Sequence, residues 1–200
     1  YVKDANGIEV ATSPVEVAMT LLNNGKYKIM GTTRTSVSQM VKYFNANASY
    51  PSYYANSDAP TIEAFCQIFY DEAAAEGVRA EVAFCQTMKE TGYLKFGGDV
   101  SISQYNFAGI GATGNGACGN SFGSVREGIR AQIQHLKAYA SSDGLNNACV
   151  DPRFSYVKRA SAIYVEWLGI KENPYGGGWA ASEGYGTSIV NSYIRKLFSY

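Results

Sequence analysis

Glu90 is the residue of this sequence best suited to acid–base chemistry. The pattern predicts a helix over residues 80–91 that stops at Gly92, which puts Glu90 in the last turn of a largely uncharged helix. The C-terminus of a helix carries partial negative charge, and partial burial among aromatic residues acts in the same direction. Both effects raise a carboxyl pKa, as a general acid working near neutral pH requires. The alternative is an ordinary solvated glutamate at a frayed helix end.

The helix that carries this glutamate has two predicted faces, because residues three and four apart lie on the same side. One face is small and mildly polar: Ala83, Gln86, Thr87 and Glu90. The other face is apolar: Phe84, Cys85 and Met88. We therefore expect a buried helix that presents its polar face at the end where Glu90 lies.

Two motifs flank a Gly-rich loop, Gln86–Gly92 (QTMKETG) before it and Tyr105–Gly111 (YNFAGIG) after it. Together they resemble the catalytic core of the bacterial glucosaminidases of glycoside hydrolase family 73. That pattern has a Gln on a helix, a Glu-Thr/Ser-Gly at its end, and an Asn-x-Phe-Gly-Ile-like segment. Here Phe107 and Ala108 stand where Leu and Phe are more usual. The resemblance covers roughly Ile29 to the end of the chain.

A third motif, Trp179–Tyr185 (WAASEGY), resembles the second signature of this family, an aromatic-Ala-Thr-Asp-x-x-Tyr stretch before the last helix. Tyr185 falls on the family's active-site tyrosine and Trp179 on its leading aromatic position. Ala181 and Ser182 depart from Thr-Asp, and Ser182 is the expected N-cap of the final helix. From the residues alone, Tyr185 is equally a packing tyrosine in a first helical turn.

The resemblance implies a mainly α, lysozyme-like helical domain with a groove between helical lobes. Many members have a β-hairpin lobe after the Asn-x-Phe-Gly-Ile segment, and it supplies a candidate second acid. Here 13 residues lie between Ile110 and Ser124, and none is Asp or Glu. The β-lobe is therefore expected to be short or absent.

The candidate site follows from these motifs, with Glu90 as general acid. Three options remain for the second role: Asp99 or Glu183 activating water, or the substrate's own N-acetyl group attacking with help from Tyr185. The absent lobe acid favours the last option. The expected substrate-binding residues are Gln86, Tyr93, Gln104, Tyr105, Asn106, Phe107 and Trp179. No cofactor or metal is expected, because the four cysteines form no Cys-x-x-Cys and His135 is the one histidine.

The remaining elements are mostly helices, about seven in all. Helices are predicted over 35–44 and 61–76, from a capping box at Ser124 and Glu127 to about 140, from Asp151-Pro152 to Leu168, and at the C-terminus. Glu127 is interpreted as a cap rather than a second catalytic carboxylate. Cys118 and Cys149 lie in loops where a disulfide is possible, and two free thiols are the alternative.

Length and charge limit the class of protein. Two hundred residues suit one domain, with an N-terminal segment over 1–28 that includes a short helix from Pro14, and the glucosaminidase catalytic domain over 29–200. Seventeen Lys and Arg balance 17 Asp and Glu, which argues against nucleic-acid binding. No apolar run is long enough to span a membrane, and no signal peptide is present. We expect an excised, monomeric catalytic domain of a larger protein.

The resemblance implies endo-β-N-acetylglucosaminidase action on peptidoglycan glycan strands, by a secreted, extracellular protein associated with the cell wall. The alternatives are a muramidase or lytic transglycosylase that cuts the other linkage, and a non-catalytic cell-wall glycan-binding module in which Glu90 is incidental.

Overall fold

The computed structural model of the protein describes residues 25–112 and 118–200, together with the backbone of two short strands. These strands, β1 (Val2–Lys3) and β2 (Glu9–Val10), pair antiparallel with Val2 opposite Val10. The short helix predicted from Pro14 lies outside the described residues. The proposed boundary between residues 28 and 29 stays a prediction, although Tyr27 and Ile29 are both buried in the core.

The described part of the chain is mainly α, as predicted. Four helices come first: α1 (Val37–Asn45), α2 (Ile62–Glu76), α3 (Ala80–Thr91) and α4 (Val125–Ala140). The C-terminal helix follows in three consecutive parts, α5 (Tyr185–Ser188), a π-helical segment (Ile189–Ile194) and α6 (Arg195–Leu197). Short 3-10 turns lie at Ser52–Asn56, Ile102–Gln104, Phe154–Tyr156 and Val165–Leu168. Between Ile110 and Ser124 the described residues contain no strand.

Helix α3 is the centre of the fold. Every residue from Ala80 to Met88 is buried, so both predicted faces are covered. Phe84 packs edge-to-face against Phe69 of α2, with ring centroids 5.7 Å apart. The helix ends as predicted at Gly92, whose φ of 56° is left-handed. The polar side chains of α3 must therefore find hydrogen-bond partners inside the protein.

The N-terminus of α4 is capped from two sides. The Ser124 hydroxyl accepts from the backbone N–H of Glu127, and Glu127 Oε2 accepts from the N–H of Gly123 at 2.7 Å. Asp58, which precedes α2 in the chain, accepts from the N–H groups of Val125 and Arg126, both at 2.9 Å. Glu127 is thus a capping residue, as predicted, but its carboxylate accepts from Gly123 rather than from the N–H of Ser124 that a capping box uses.

The helix predicted from Asp151 to Leu168 is wrong. Two 3-10 turns stand in its place, and the chain between them turns at residues 159–160, where Ala160 is left-handed with φ of 55°. Ile163 accepts from the N–H of Ile29, and Val165 donates to Tyr27, at 3.1 and 2.8 Å. Backbone pairing with a distant segment thus replaces the helical hydrogen bonds that the apolar spacing suggested.

The predicted N-cap of the last helix is also wrong. The helix begins at Tyr185, and its N-cap is Gly184 in a left-handed conformation with φ of 67°. No side chain caps it, and the Gly184 N–H donates to Glu172 Oε1 at 2.7 Å. The turn at Gly184 brings Tyr185 directly into the core.

Candidate active site

A groove passes over the end of α3. Two adjoining cavities of about 170 and 550 Å³ meet there, and both are lined by Glu90, Gly109 and Ala112. The smaller one continues past Asp99 and Asn106, and the larger one past Trp179 and Tyr185. Glu90 therefore lies where a ligand that fills both cavities would cross.

The Glu90 carboxyl group is open to solvent from the groove and enclosed by protein on its other sides. Burial raises its pKa, although a hydrogen bond from Tyr185 and the charge of Lys89 act in the opposite direction. The raised pKa predicted from the sequence is thus confirmed in direction, with burial as its main cause. A carboxyl group in this setting keeps its proton at higher pH than a solvated glutamate does.

The Tyr185 hydroxyl donates a short hydrogen bond to Glu90 Oε1 and accepts one from Gln86 Nε2 at 3.0 Å. Its side chain is almost completely buried. Burial and the adjacent Glu90 raise the pKa of Tyr185 far above its ordinary value. The phenol therefore stays protonated and acts as a donor towards Glu90.

Gln132 on α4 is a site residue that the sequence reasoning missed. Its Nε2 donates to Gln86 Oε1 and to the backbone carbonyl of Ala83, both at 2.9 Å. Its Oε1 accepts from the Thr87 hydroxyl at 2.9 Å. The sequence contains one indication of its role. Gln132 lies beside Ile129 and Ile133 on the predicted buried face of a helix, where a polar side chain needs a specific hydrogen-bond partner.

The Asn106 side chain shapes the opposite wall of the groove. It is buried, with Oδ1 accepting from the N–H of Ile110 and Nδ2 donating to the carbonyls of Ile110 and Asn120, all at 2.9 Å. The turn it closes brings Gly109, with φ of 65°, against the acid. A Cβ at Gly109 would lie 4.0 Å from Glu90 Oε2, so this backbone borders the oxygen that Tyr185 does not contact.

A family model described as "Glucosaminidase: Mannosyl-glycoprotein endo-beta-N-acetylglucosaminidase" matches residues 66–197, well over half of the chain. The chain belongs to the glucosaminidase family. The resemblance to glycoside hydrolase family 73 is thereby confirmed, and the match spans all three motifs that carried it.

An uncharacterised protein of Borreliella burgdorferi is 46% identical to this glucosaminidase domain over 130 residues. The aligned part covers 64% of this chain and 60% of that protein, so the chain spans about 60% of the length of this curated relative. No solved structure matches the chain.

Three of the predicted site residues meet near the end of α3: Glu90, Tyr185 and Gln86. Asp99 and Asn106 share the smaller cavity with Glu90. Trp179 lines the larger one.

The indole of Trp179 is held edge-on by His135, with ring centroids 4.7 Å apart. His135 is itself buried and is hydrogen-bonded through Nδ1 to Asp151 Oδ2 at 2.7 Å, so it supports the position of Trp179.

Five other predicted site residues do not line the described cavities at Glu90. Tyr93 is hydrogen-bonded to the Tyr43 hydroxyl, and Phe107 is fully buried in the aromatic core. Gln104 caps a 3-10 turn by accepting from Ser101 and also donates to the carbonyl of Cys118. Tyr105 begins the loop that carries Asn106. Glu183 is 81% exposed and forms an ion pair with Lys171 at 3.2 Å.

The described residues contain no group of three His, Cys, Asp or Glu side chains that could hold a metal ion. No helix within residues 25–112 or 118–200 is long and apolar enough to cross a membrane. Cys149 carries a free thiol, so the possible bridge to Cys118 is not formed.

Proposed function

We propose that this domain is a peptidoglycan hydrolase that cleaves the glycan strand as an endo-β-N-acetylglucosaminidase. The observation that carries the proposal is the position of Glu90, a carboxyl group with a raised pKa at the point where two cavities of one groove meet. Because the chain belongs to a glycoside hydrolase family, we assign to this acid the protonation of a glycosidic oxygen.

In the proposed reaction, Glu90 gives its proton to the oxygen that bridges two sugars, and the bond from that oxygen to the anomeric carbon breaks. The departing sugar leaves as an alcohol, and Glu90 becomes a carboxylate that the Tyr185 hydroxyl stabilises. Water later adds to the anomeric carbon and returns a proton to Glu90, which restores the acid.

For the second role we propose the carbonyl oxygen of the substrate's own N-acetyl group, which attacks the anomeric carbon and forms a cyclic intermediate that water opens. The Tyr185 hydroxyl is already hydrogen-bonded to Glu90, so we assign it to the acid rather than to the acetamido group. Asp99 is the competing candidate, as a base for water, because it lines the same cavity as Glu90. Glu183 is the weaker one, because its carboxylate is exposed and paired with Lys171.

The deciding experiment is mass spectrometry of the products that purified peptidoglycan yields with wild type and with Glu90→Gln. Borohydride reduction labels the new reducing ends. Reduced N-acetylglucosamine ends that depend on Glu90 support the proposal. Reduced N-acetylmuramic acid ends would make the enzyme a muramidase, and anhydro ends a lytic transglycosylase.

A non-catalytic glycan-binding module predicts a different result. Such a protein would sediment with cell walls yet clear no zone in a gel that contains them, and Glu90→Gln would change nothing. Because peptidoglycan lies outside the cytoplasmic membrane, we propose that the domain acts as a secreted, cell-wall-associated monomer within a larger protein.

A further inference from the structure

We infer that Gln132 is a positioning residue that fixes, through Gln86 and Tyr185, which oxygen of Glu90 carries the transferable proton. The inference rests on the proposed function, since it concerns the acid of that reaction. Gln132 lies on α4, behind the groove, and is fully buried.

The order of donors and acceptors starts at a backbone carbonyl. The oxygen of Ala83 can only accept, so the Gln132 atom 2.9 Å from it must be the amide nitrogen. The second hydrogen of that nitrogen points to Gln86, which must therefore present its oxygen there. The Thr87 hydroxyl donates to the remaining oxygen of Gln132, so no polar atom of its amide is left without a partner.

With its oxygen turned to Gln132, the amide of Gln86 has only its nitrogen to offer Tyr185, at 3.0 Å. The Tyr185 oxygen thus accepts from Gln86, and its single proton goes to Glu90 Oε1. Reversing either amide would bring two donors or two acceptors together inside the core, which is costly where no water can compensate.

The consequence for the acid is a choice between its two oxygens. Oε1 receives the proton of Tyr185, so the proton of the neutral acid resides on Oε2. That oxygen borders Gly109, which lines both cavities. The series of hydrogen bonds from Gln132 through Gln86 and Tyr185 to Glu90, called the relay below, therefore directs the transferable proton into the groove.

Other charged and titratable groups also face Glu90. Lys89 on the same helix lowers its pKa by its charge, and the Lys89 ammonium lies 5.5 Å from the centre of the Tyr185 ring. Asp99 lines the same cavity, and Tyr193 on the C-terminal helix is sensitive to the charge of Glu90. None of these is hydrogen-bonded to Gln132, so its replacement leaves their charges in place.

The test follows the titration of Glu90 by ¹³C NMR of the glutamate carboxyl groups, with the Glu90 signal assigned by its loss in Glu90→Gln. Gln132→Leu frees the amide of Gln86 to present its oxygen to Tyr185, which takes the Tyr185 proton away from Glu90. The pKa of Glu90 then rises by about one pH unit. Gln132→Met matches the volume and is used if the leucine variant does not fold.

Thr87→Val is the matched control. It removes a buried hydrogen bond to the same Gln132, but Ala83 still fixes the direction of the amide, so Glu90 titrates as in wild type. The double variant Gln86→Leu with Gln132→Leu is the second readout. It leaves Tyr185 no acceptor except Glu90, and the pKa returns towards the wild-type value.

A merely structural role for Gln132 gives another outcome. If the Gln132 variants titrate like Thr87→Val, or if the double variant keeps the shifted pKa, the inference is overturned. The titration needs no substrate. It therefore tests the relay independently of the proposed function, which fails if the wild type releases no glycan.

Discussion

Tyr185, on the last helix, donates its hydrogen bond to Glu90, which lies in the last turn of the central helix, 95 positions earlier in the chain. The two residues therefore meet only when the core between α3 and the C-terminal helix has formed. The candidate acid and its hydrogen-bond donor are products of the tertiary fold, and neither is placed by local sequence alone.

Replacing Glu90 with Gln is expected to lower turnover on peptidoglycan by about 10²–10⁴-fold, the usual contribution of a general acid. A turbidity assay with cell walls measures the loss. Gln67→Glu is the control, because it makes the reverse isosteric change, from amide to carboxylate, on the exposed face of α2. This variant should keep full activity. Turnover unchanged in Glu90→Gln would remove Glu90 from the mechanism.

The same Glu90→Gln variant is expected to be more stable than wild type at pH 7. The pKa of Glu90 is raised on folding above the 4.5 of a solvated glutamate, so the folded state binds the proton more tightly. Wild type loses that stabilisation as the pH rises above 4.5 and through the folded pKa, whereas the amide does not titrate. Melting temperatures at pH 4 and pH 7 should show a variant gain confined to the higher pH.

Asp99→Asn and Glu183→Gln separate the routes for the second catalytic role. If the acetamido group of the substrate attacks, each variant keeps turnover within about threefold of wild type, since neither carboxylate then touches the reacting atoms. Steady-state kinetics on one peptidoglycan preparation compares them. A loss of 10²-fold or more in Asp99→Asn alone would assign water activation to Asp99 and exclude the substrate-assisted route.

Gly128→Ala is expected to destabilise the protein by about 2 kcal/mol and to lower turnover. A Cβ at Gly128 would lie 1.8 Å from the carbonyl oxygen of Tyr105, where the loop that carries Gly109 towards Glu90 begins. Gly144→Ala is the control, because no atom lies within 4 Å of the added carbon. Urea unfolding and turnover measured on both variants would reveal whether this close approach matters, and equal behaviour would show that it does not.

Glu72→Gln is expected to lower the free energy of unfolding by about 2 kcal/mol at pH 7 and by less at pH 3. Burial opposes ionisation of Glu72, but the hydrogen bonds from Arg130 and Arg126 outweigh it and hold the pKa below its ordinary 4.5. A group with a lowered folded pKa stabilises above pH 4.5, and that stabilisation is lost as the pH falls through the folded value.

The control for this ion pair is Glu63→Gln on the exposed side of the same helix. Urea unfolding at pH 7 should show a smaller loss of stability for Glu63→Gln than for Glu72→Gln, because Glu63 is exposed. If Glu72→Gln follows it, the contacts with Arg126 and Arg130 contribute no net stability.

The parts of the site that the sequence predicted are those fixed by local rules. The end of α3 follows from Gly92, and the place of Glu90 follows from counting along one helix. The cap at Ser124 and Glu127 was likewise readable, because its partners are a few residues apart.

What the sequence could not predict depends on contacts between distant segments. The apolar residues between Phe154 and Leu168 have helical spacing, yet Ile163 and Val165 within this segment pair with the backbone of residues 27–29. Gln132 looked like one more polar residue on an amphipathic helix, because its role exists only once Gln86 lies against it. Tyr93 and Phe107 were expected at the groove. The sequence does not show whether an aromatic residue close to an acid faces the groove or the core.

The wide turns at Ile189–Ile194 have a consequence for insertions and deletions. A π-helical turn holds about one residue more than an α-helical turn, so removing a single residue there and returning the stretch to α geometry would leave Tyr185 and Leu197 on their present faces. The wide turns thus allow this stretch to carry an additional residue without changing the direction of the tyrosine. Loss of one codon within it is therefore expected to preserve the contact between Tyr185 and Glu90.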